Sequence, residues 1–250
     1  MNGIFFLILL GVLIGAFIGY NKMINGSTYT KRHPDRPFPD EWRAILKEHV
    51  AFYNRLDEKE QKDFEKRVHI FLLNVQIVGE GTEVTHLDRI LVASGAIIPI
   101  FGFEKWHYAN LEVVEIHPDQ FDIPKTNKKA RGLVGWGEME GTMMLSRKAL
   151  QEGFYNQNEQ KNLAVHEFIH ILDKQDGKVD GILENVMSEI DISPWLTVIQ
   201  QKMKDIEGGN SSIREYGMTN NAEFLAVVGE FFFENPEKMK TEHPGLYNAL

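Results

Sequence analysis

Two histidines and a glutamate in the segment LAVHEFIHILD have the residue types and the spacing of a metallopeptidase centre. His166 and His170 are four residues apart, so on a helix their side chains project from one face, about one turn apart. Two imidazoles in this arrangement can bind a single Zn²⁺ ion. Glu167 follows the first histidine and can reach a water at the open coordination position and take its proton. The segment therefore predicts a helix that carries a zinc site, with Glu167 as general base.

A third metal ligand is expected from another part of the chain, because catalytic zinc usually has three protein ligands and one open position. The segment TNNAEFLAVVGEFFFENP offers Glu223 and Glu230, which are seven residues apart and share one face of a predicted helix. Spacing alone does not choose between them, and the one that is not a ligand could hold a ligand from behind. Asp173, three residues after His170, is a second candidate for orienting an imidazole, or else a solvated acid near the end of the helix.

The composition excludes several other classes of function. The 250 residues include 36 Asp and Glu against 27 Lys and Arg, a net charge of −9, which disfavours a protein that coats nucleic acid directly. The absence of cysteine excludes disulfides, thiolate zinc fingers and cysteine nucleophiles. A hydrophobic fraction of 43% and a charged fraction of 25% are typical of a globular protein.

The N-terminus differs from the rest of the chain. Residues 3–20 contain no charged side chain, and eighteen helical residues span roughly 27 Å, close to the thickness of the hydrocarbon layer of a bilayer. We expect an uncleaved transmembrane helix over residues 1–20, with a cleaved signal peptide or a buried helix as alternatives. Residues 21–39 contain three prolines and read as a tether, and the catalytic domain is expected over residues 40–250.

The orientation in the membrane follows from the basic residues. They lie on the C-terminal side of the apolar run, which predicts a single-pass membrane protein whose catalytic domain is cytoplasmic; the nearest are Lys22, Lys31, Arg32, Arg36 and Arg43. Gly11, Gly15 and Gly19 recur every four residues, a pattern that would allow a homodimer through the membrane helix.

The elements that must position the candidate site are mainly helical. Apolar periodicity predicts helices over 42–56, 58–73, 158–173, 193–206 and 221–234, a short helix at the C-terminus, and a buried helix within 86–100 that ends before Pro99. Short strands are expected over 75–78, 111–116, 132–136 and 141–145. The predicted fold class is α+β, helix-dominated, with a small central sheet and one preceding transmembrane helix.

Several separated segments resemble the Mlc titration factor A family of zinc peptidases over roughly residues 38–250. They are HEFIHILDKQDG, NNAEFLAVVGEFFFENPE, ILVASGAIIPIFGFEKWHYANLEVVEIHPDQF and LVGWGEMEGTMMLSRKAL, together with Tyr216 seven residues before Glu223. The resemblance implies a gluzincin-like metallopeptidase with aminopeptidase activity. It assigns the zinc ligands to His166, His170 and Glu223, the catalytic glutamate to Glu167 and a tyrosine that stabilises the transition state to Tyr216. Nothing in the resemblance predicts residues 1–37.

Two functions are compatible with these observations. The first is a membrane-anchored zinc aminopeptidase that acts on a peptide or protein substrate. The second is a tethered metal-binding protein that captures a transcriptional regulator, as the family name suggests, without physiological proteolysis. A structural zinc site is normally closed by four protein ligands, whereas this chain offers three and a glutamate beside them, which favours the enzyme.

Overall fold

The computed structural model describes residues 32–103, 108, 110–156, 159–183 and 193–250. Within it, residues His33–Leu250 form one compact unit. The described residues contain ten helices and six strands. The helices are α1 (Asp40–His49), α2 (Ala51–Asn54), α3 (Glu58–Asn74), α4 (His86–Ile100), α5 (Arg147–Tyr155), α6 (Leu163–Lys174), α7 (Ser193–Glu207), α8 (Asn221–Glu234), α9 (Pro236–Glu242) and α10 (Pro244–Ala249). The strands are β1 (Gln76–Gly79), β2 (Val113–His117), β3 (Phe121–Asp122), β4 (Lys129–Ala130), β5 (Gly132–Val134) and β6 (Thr142–Ser146).

Four strands form a small mixed sheet in the order β1-β2-β6-β5. The first three are parallel, and β5 is antiparallel to β6, with Leu133 opposite Met144. Strands β3 and β4 form a separate antiparallel pair. Because β5 pairs only with β6 among the described strands, it is an edge of the sheet. A helix-rich α+β fold with a small sheet, as predicted, is therefore confirmed.

The buried helix α4 supports the helix of the candidate site. Nearly every residue of α4 from Ile90 onward is buried, and the helix packs between α3 and α6. The approach to α6 is close, because a Cβ at Gly95 would lie 2.3 Å from the Cβ of Ala164. Only a residue without a side chain leaves room for this packing, so Gly95 sets the position of α6 in the core.

Three local predictions differ from the structure. The helix predicted over 42–56 is interrupted at Val50, whose extended backbone lets both Val50 and Tyr53 be buried. The helix expected to end before Pro99 continues to Ile100, since a proline in the last turn removes only one late hydrogen bond. Helix α5 and the β3–β4 pair were not predicted. Ser146 caps α5 by accepting a hydrogen bond from the backbone N–H of Ala149.

The predicted localisation as a single-pass membrane protein is not supported, and we correct it here. Across the part of the chain that the structure describes, no helix is long and apolar enough to cross a bilayer. The two most apolar helices, α4 and α8, have 15 and 14 residues, which corresponds to about 21–23 Å and is shorter than the hydrocarbon layer. Both are also largely buried within the domain. The membrane helix predicted over residues 1–20, including its glycine pattern, lies outside the described residues.

Candidate metal centre

Helices α6 and α8 pack against each other and bring the candidate ligands together. His166 and His170 lie on α6, and Glu223 lies in the first turn of α8. Both helices begin at an asparagine cap: Asn162 accepts a hydrogen bond from the N–H of Val165, and Asn220 accepts one from the N–H of Glu223 at 2.9 Å. The cap of α8 therefore fixes the backbone of the very residue that supplies the carboxylate.

The three candidate ligand atoms form a triangle of the size that zinc requires. His166 Nε2 lies 3.0 Å from Glu223 Oε2 and 3.1 Å from His170 Nε2, and His170 Nε2 lies 3.4 Å from Glu223 Oε2. Ligands at 2.0–2.1 Å from a tetrahedral Zn²⁺ are about 3.3–3.4 Å apart. The two imidazole nitrogens and the carboxylate oxygen therefore fit a zinc ion. No other group of three such ligands is found among the described residues.

Glu230 lies behind the first histidine, on the side away from the triangle. Its Oε1 atom accepts a hydrogen bond from His166 Nδ1 at 2.8 Å, and its side chain is only 2% exposed. Because Nδ1 donates its N–H to Glu230, the ring is held with its Nε2 atom facing Glu223 and His170. Spacing in the sequence does not choose between these two carboxylates, but their contacts in the structure differ. Glu223 lies in the triangle, and Glu230 orients His166.

Asp173 does not contact either imidazole ring. It is buried, and its carboxylate accepts hydrogen bonds from the backbone N–H groups of Gly181 and Ile182, each at 3.0 Å. Burial raises its pKa to about 6. Asp173 therefore holds the segment that follows α6, while the Nδ1 atom of His170 is buried without a hydrogen-bond partner in the described part of the chain.

Glu167 lies beside the triangle, in the same cleft. It is buried, and burial raises the pKa of its carboxyl above the usual value. The edge strand β5 runs directly alongside, because a Cβ at Gly132 would lie 2.2 Å from Glu167 Oε1. Glycine at position 132 is what allows the strand to approach the carboxylate.

Tyr216 lies in a short 3-10 turn, Glu215–Met218, that precedes α8. Its ring centroid is 5.9 Å from that of His166, and the residue is half exposed to the cleft. Burial and the negative charges of Glu223 and Glu167 raise its pKa to about 12. The phenol therefore keeps its proton near neutral pH and can act as a hydrogen-bond donor.

The ligands are electrostatically coupled. Burial by itself would lower the pKa of His166, but hydrogen bonds to Glu223 and Glu230 raise it to about 10. Burial would raise the pKa of Glu223, but its contacts with His166 and His170 hold it well below the usual range. Without a cation the triangle thus favours a protonated His166 beside an ionised Glu223. A divalent cation would take the place of that proton.

A cleft of about 920 Å³ connects these groups. It is lined by residues of β4, β5 and α5, of the N-terminal part of α6, of the turn with Tyr216 and of helix α8. The candidate ligands, Glu167 and Tyr216 all line it. A peptide-sized ligand can therefore reach the metal triangle and the carboxylate of Glu167 at the same time.

Two residues that contribute to this site were not singled out from the sequence. Arg214 donates a hydrogen bond to Glu230 Oε1, and Gly132 makes room for Glu167. Arg214 is sixteen residues from Glu230 and on a different element, so no helical spacing signals the contact. The role of Gly132 depends on how the sheet edge packs against α6, which a pattern along one strand does not reveal.

The chain is similar to known proteins over most of its length. A family model described as glucose-regulated metallo-peptidase M90 matches residues 26–250. An uncharacterized protein from Synechocystis sp. is 27% identical over 260 residues, which cover 97% of this chain and 92% of that protein.

The chain is also similar to proteins named Mlc titration factor A. Mlc titration factor A from Klebsiella pneumoniae is 26% identical over 224 residues, and that from Cronobacter sakazakii is 25% identical over 229 residues. These alignments cover 84% and 86% of this chain and 83% and 84% of the two relatives. The family resemblance inferred from the motifs is thereby confirmed. With a match over all but its first 25 residues, this chain belongs to the glucose-regulated metallo-peptidase M90 family.

Proposed function

We propose that the protein is a zinc-dependent peptidase of the aminopeptidase type, with His166, His170 and Glu223 as metal ligands. The observation that carries the proposal is the convergence of two imidazole nitrogens and a carboxylate oxygen within 4.8 Å of one another, in the same cleft as Glu167. Three protein ligands leave a coordination position open, which is the arrangement of a catalytic rather than a structural zinc site.

The chain's own groups supply the proton transfers. A bound zinc ion would acidify a water molecule and polarise the carbonyl group of the scissile bond. The carboxylate of Glu167 accepts the proton of the attacking water and later donates it to the leaving amine. The raised pKa of Glu167 suits this exchange, because a group whose pKa is closer to neutral pH can both take and return a proton. The phenol of Tyr216 donates a hydrogen bond to the oxyanion that develops on the former carbonyl oxygen.

The aminopeptidase type is supported by the resemblance to the Mlc titration factor A family and by the charge at one end of the cleft. A free α-amine needs an acidic partner, and Glu152 and Glu159 line the cleft outside the metal triangle. Glu152 also pairs with Arg131 at 2.6 Å. This end of the cleft therefore offers charged groups of both signs, close to the strand that approaches Glu167.

Replacement of Glu167 by glutamine tests the proposal in the full-length chain. Glutamine has the same shape but cannot accept a proton, so Glu167→Gln should lower kcat by about 10²–10⁴-fold while the protein retains about one zinc per chain. The matched control is Glu138→Gln, which changes an exposed glutamate that pairs with Lys125 on the surface. Hydrolysis of aminoacyl anilides and of free and N-acetylated peptides, metal content and thermal unfolding are measured for all three proteins.

Each result decides a part of the proposal. Loss of zinc or of folding in Glu167→Gln would contradict its role as base, because the substitution should leave the triangle intact. Equal cleavage of acetylated and free peptides would overturn the aminopeptidase type. A zinc-loaded parent that hydrolyses nothing would overturn the peptidase, and would favour the alternative of a metal-binding protein that captures a regulator.

A further inference from the structure

Apolar side chains that are exposed to solvent gather at the cleft. Eight large hydrophobic residues are exposed in the described part of the chain, and three of them, Trp136, Val179 and Tyr216, line this one cavity. Trp136 is 52% exposed, although a tryptophan in a monomeric protein is usually highly buried. Tyr216 already has a place in the proposed chemistry, whereas nothing described so far explains Trp136.

Trp136 is held in place rather than loosely exposed. The ammonium group of Lys174 lies 4.3 Å from the centroid of its ring, a cation–π contact. That ammonium group is fixed in turn by the carbonyl oxygen of Gly135 at 2.8 Å and by Glu140 Oε2 at 2.6 Å. The indole therefore presents a preformed apolar surface, and its side chain loses little conformational entropy when a ligand covers it.

The backbone around Trp136 restricts it further. Trp136 has an extended backbone and leads into a tight turn, in which Gly137 has a φ of +58° and the N–H of Met139 bonds the carbonyl oxygen of Trp136. A Cβ at Gly135 would lie 2.1 Å from the carbonyl oxygen of Met139. The two flanking glycines thus permit the turn that directs the indole into the cleft.

Two independent measures place Trp136 at a fixed distance from the reacting carboxylate. Strand β5 approaches Glu167 at Gly132, and four residues of extended chain from Gly132 to Trp136 span about 13 Å. Along α6, which packs against β5, seven helical residues from Glu167 to Lys174, which contacts the indole, span about 10.5 Å. Since an extended peptide advances by about 3.3 Å per residue, the indole faces the third or fourth residue from the scissile bond, which lies beside Glu167.

Resting on the proposed peptidase function, we propose that Trp136 forms a binding site for an apolar side chain of the peptide substrate, three or four residues away from the scissile bond. The preferred ligands are aromatic and large aliphatic side chains, which stack on or pack against an indole face. Val179 is a second exposed apolar residue that lines the same cleft. The substrates are accordingly peptides of at least four or five residues with an apolar residue at that distance.

The other end of the cleft has a different character. Its lining includes Lys129, Arg131, Glu152 and Lys161, which would have to lose hydration to accept an apolar side chain. The apolar preference is therefore confined to the end of the cleft that carries Trp136. A position scan along the substrate should show a single maximum rather than a general preference for hydrophobic peptides.

The experiment uses zinc-loaded full-length protein and a set of alanine-based hexapeptides in which one phenylalanine is moved along the chain. Cleavage sites are read by mass spectrometry. The parent should show kcat/KM about tenfold higher when phenylalanine lies three or four residues from the cleaved bond than when alanine does. Trp136→Ala should lose that ratio, and Trp136→Phe should retain part of it. The control Tyr155→Ala removes an equally exposed aromatic that does not line the cleft, and should keep the full ratio.

A binding measurement separates this inference from the proposed function. Fluorescein-labelled versions of the same peptides are titrated into Glu167→Gln and into the double variant with Trp136→Ala, and anisotropy gives Kd. A Kd about tenfold lower for the phenylalanine peptide, lost in the double variant, supports the site even if the parent shows no hydrolysis. Hydrolysis without any dependence on phenylalanine position, or with a dependence that Trp136→Ala leaves unchanged, overturns the site while the peptidase stands.

Discussion

His166 is the residue at which most contacts of the site meet. Its Nδ1 atom is bonded to Glu230, and its Nε2 atom faces Glu223 and His170. A histidine that is free to rotate would present either nitrogen to a metal, whereas this one presents only Nε2. The ring orientation therefore depends on where Glu230 is held.

Arg214 holds Glu230. Its guanidinium group forms an ion pair with Glu230 Oε1, which is otherwise a nearly fully buried carboxylate. The same oxygen accepts the hydrogen bond from His166 Nδ1, so the ion pair with Arg214 fixes the atom that orients the imidazole ring. The carbonyl oxygen of Arg214 also accepts the N–H of Gly217, in the turn that carries Tyr216. One arginine thus supports both the metal ligand and the phenol.

We expect Arg214→Met to weaken zinc binding by about 10–100-fold, because Glu230 loses the ion pair that holds its carboxylate against His166. Arg55→Met is the matched control, since Arg55 also bonds α8 but at the carbonyl oxygens of its C-terminal end, Phe233 and Glu234. Competition with a chelator gives the zinc Kd for each variant. If both substitutions change the Kd equally, Arg214 acts only through the stability of α8 and not through Glu230.

At the scale of elements, the distance between β5 and α6 sets the position of Glu167. Among the described strands, β5 pairs with β6 alone. Residues of β5 line the cleft, and Gly132 packs against the carboxylate of Glu167. Helix α6 is fixed from the opposite side by its close contact with α4. Glu167, which belongs to α6, therefore packs against β5 so closely that position 132 has no room for a side chain.

Gly132→Ala should lower kcat by about 10²-fold, since a displacement of a catalytic group by about 1 Å has an effect of that size. The added methyl group would lie 2.2 Å from Glu167 Oε1 and must push the carboxylate away from the metal triangle. Gly102→Ala is the control, because nothing lies within 4 Å of the position its Cβ would take. Steady-state kinetics and zinc content are compared, and an active Gly132→Ala enzyme would show that Glu167 does not need its present position.

At the scale of the whole molecule, the metal site joins parts of the chain that are far apart in sequence. His166 and Glu223 are 57 residues apart and belong to different helices. A cation bound by the folded state alone shifts the folding equilibrium toward that state. The centre is thus expected to contribute to stability as well as to chemistry.

Removal of zinc by a chelator should lower Tm by about 5–10 °C, since a ligand at 100 times its Kd stabilises the fold by about 2.7 kcal/mol. The effect should shrink as the pH is lowered from 8 to 6. Because the pKa of His166 in the metal-free site is raised to about 10, protons compete with zinc more strongly at lower pH. Scanning calorimetry with and without EDTA measures both, and Glu223→Gln should show a much smaller shift. An equal shift in that variant would exclude Glu223 as a ligand.

The local elements of the site could be predicted from the sequence. Apolar periodicity indicated α6 and α8 to within a few residues at each end, because each helix buries a broad face against a common core. Helix α5 was not predicted, since its apolar residues are few and its start depends on the cap at Ser146. The run over residues 86–100 was correctly predicted as buried, but the effect of Pro99 on its end was overestimated.

The sequence by itself determined the chemistry that α6 can perform, because the spacing of His166 and His170 is a property of any helix. It left Glu223 and Glu230 equivalent, since residues seven apart on α8 share a face. Only the tertiary structure gives them different contacts, and the proposal of Glu223 as the ligand rests on these contacts. The crossing of α6 and α8 brings the first turn of α8 to Nε2 of His166 and the turns beyond it to Nδ1. The sequence likewise did not indicate the roles of Arg214, Gly132 and Trp136, since their contacts join separate elements. Such contacts arise from the packing of elements in three dimensions, and the periodicity along a single element does not predict them.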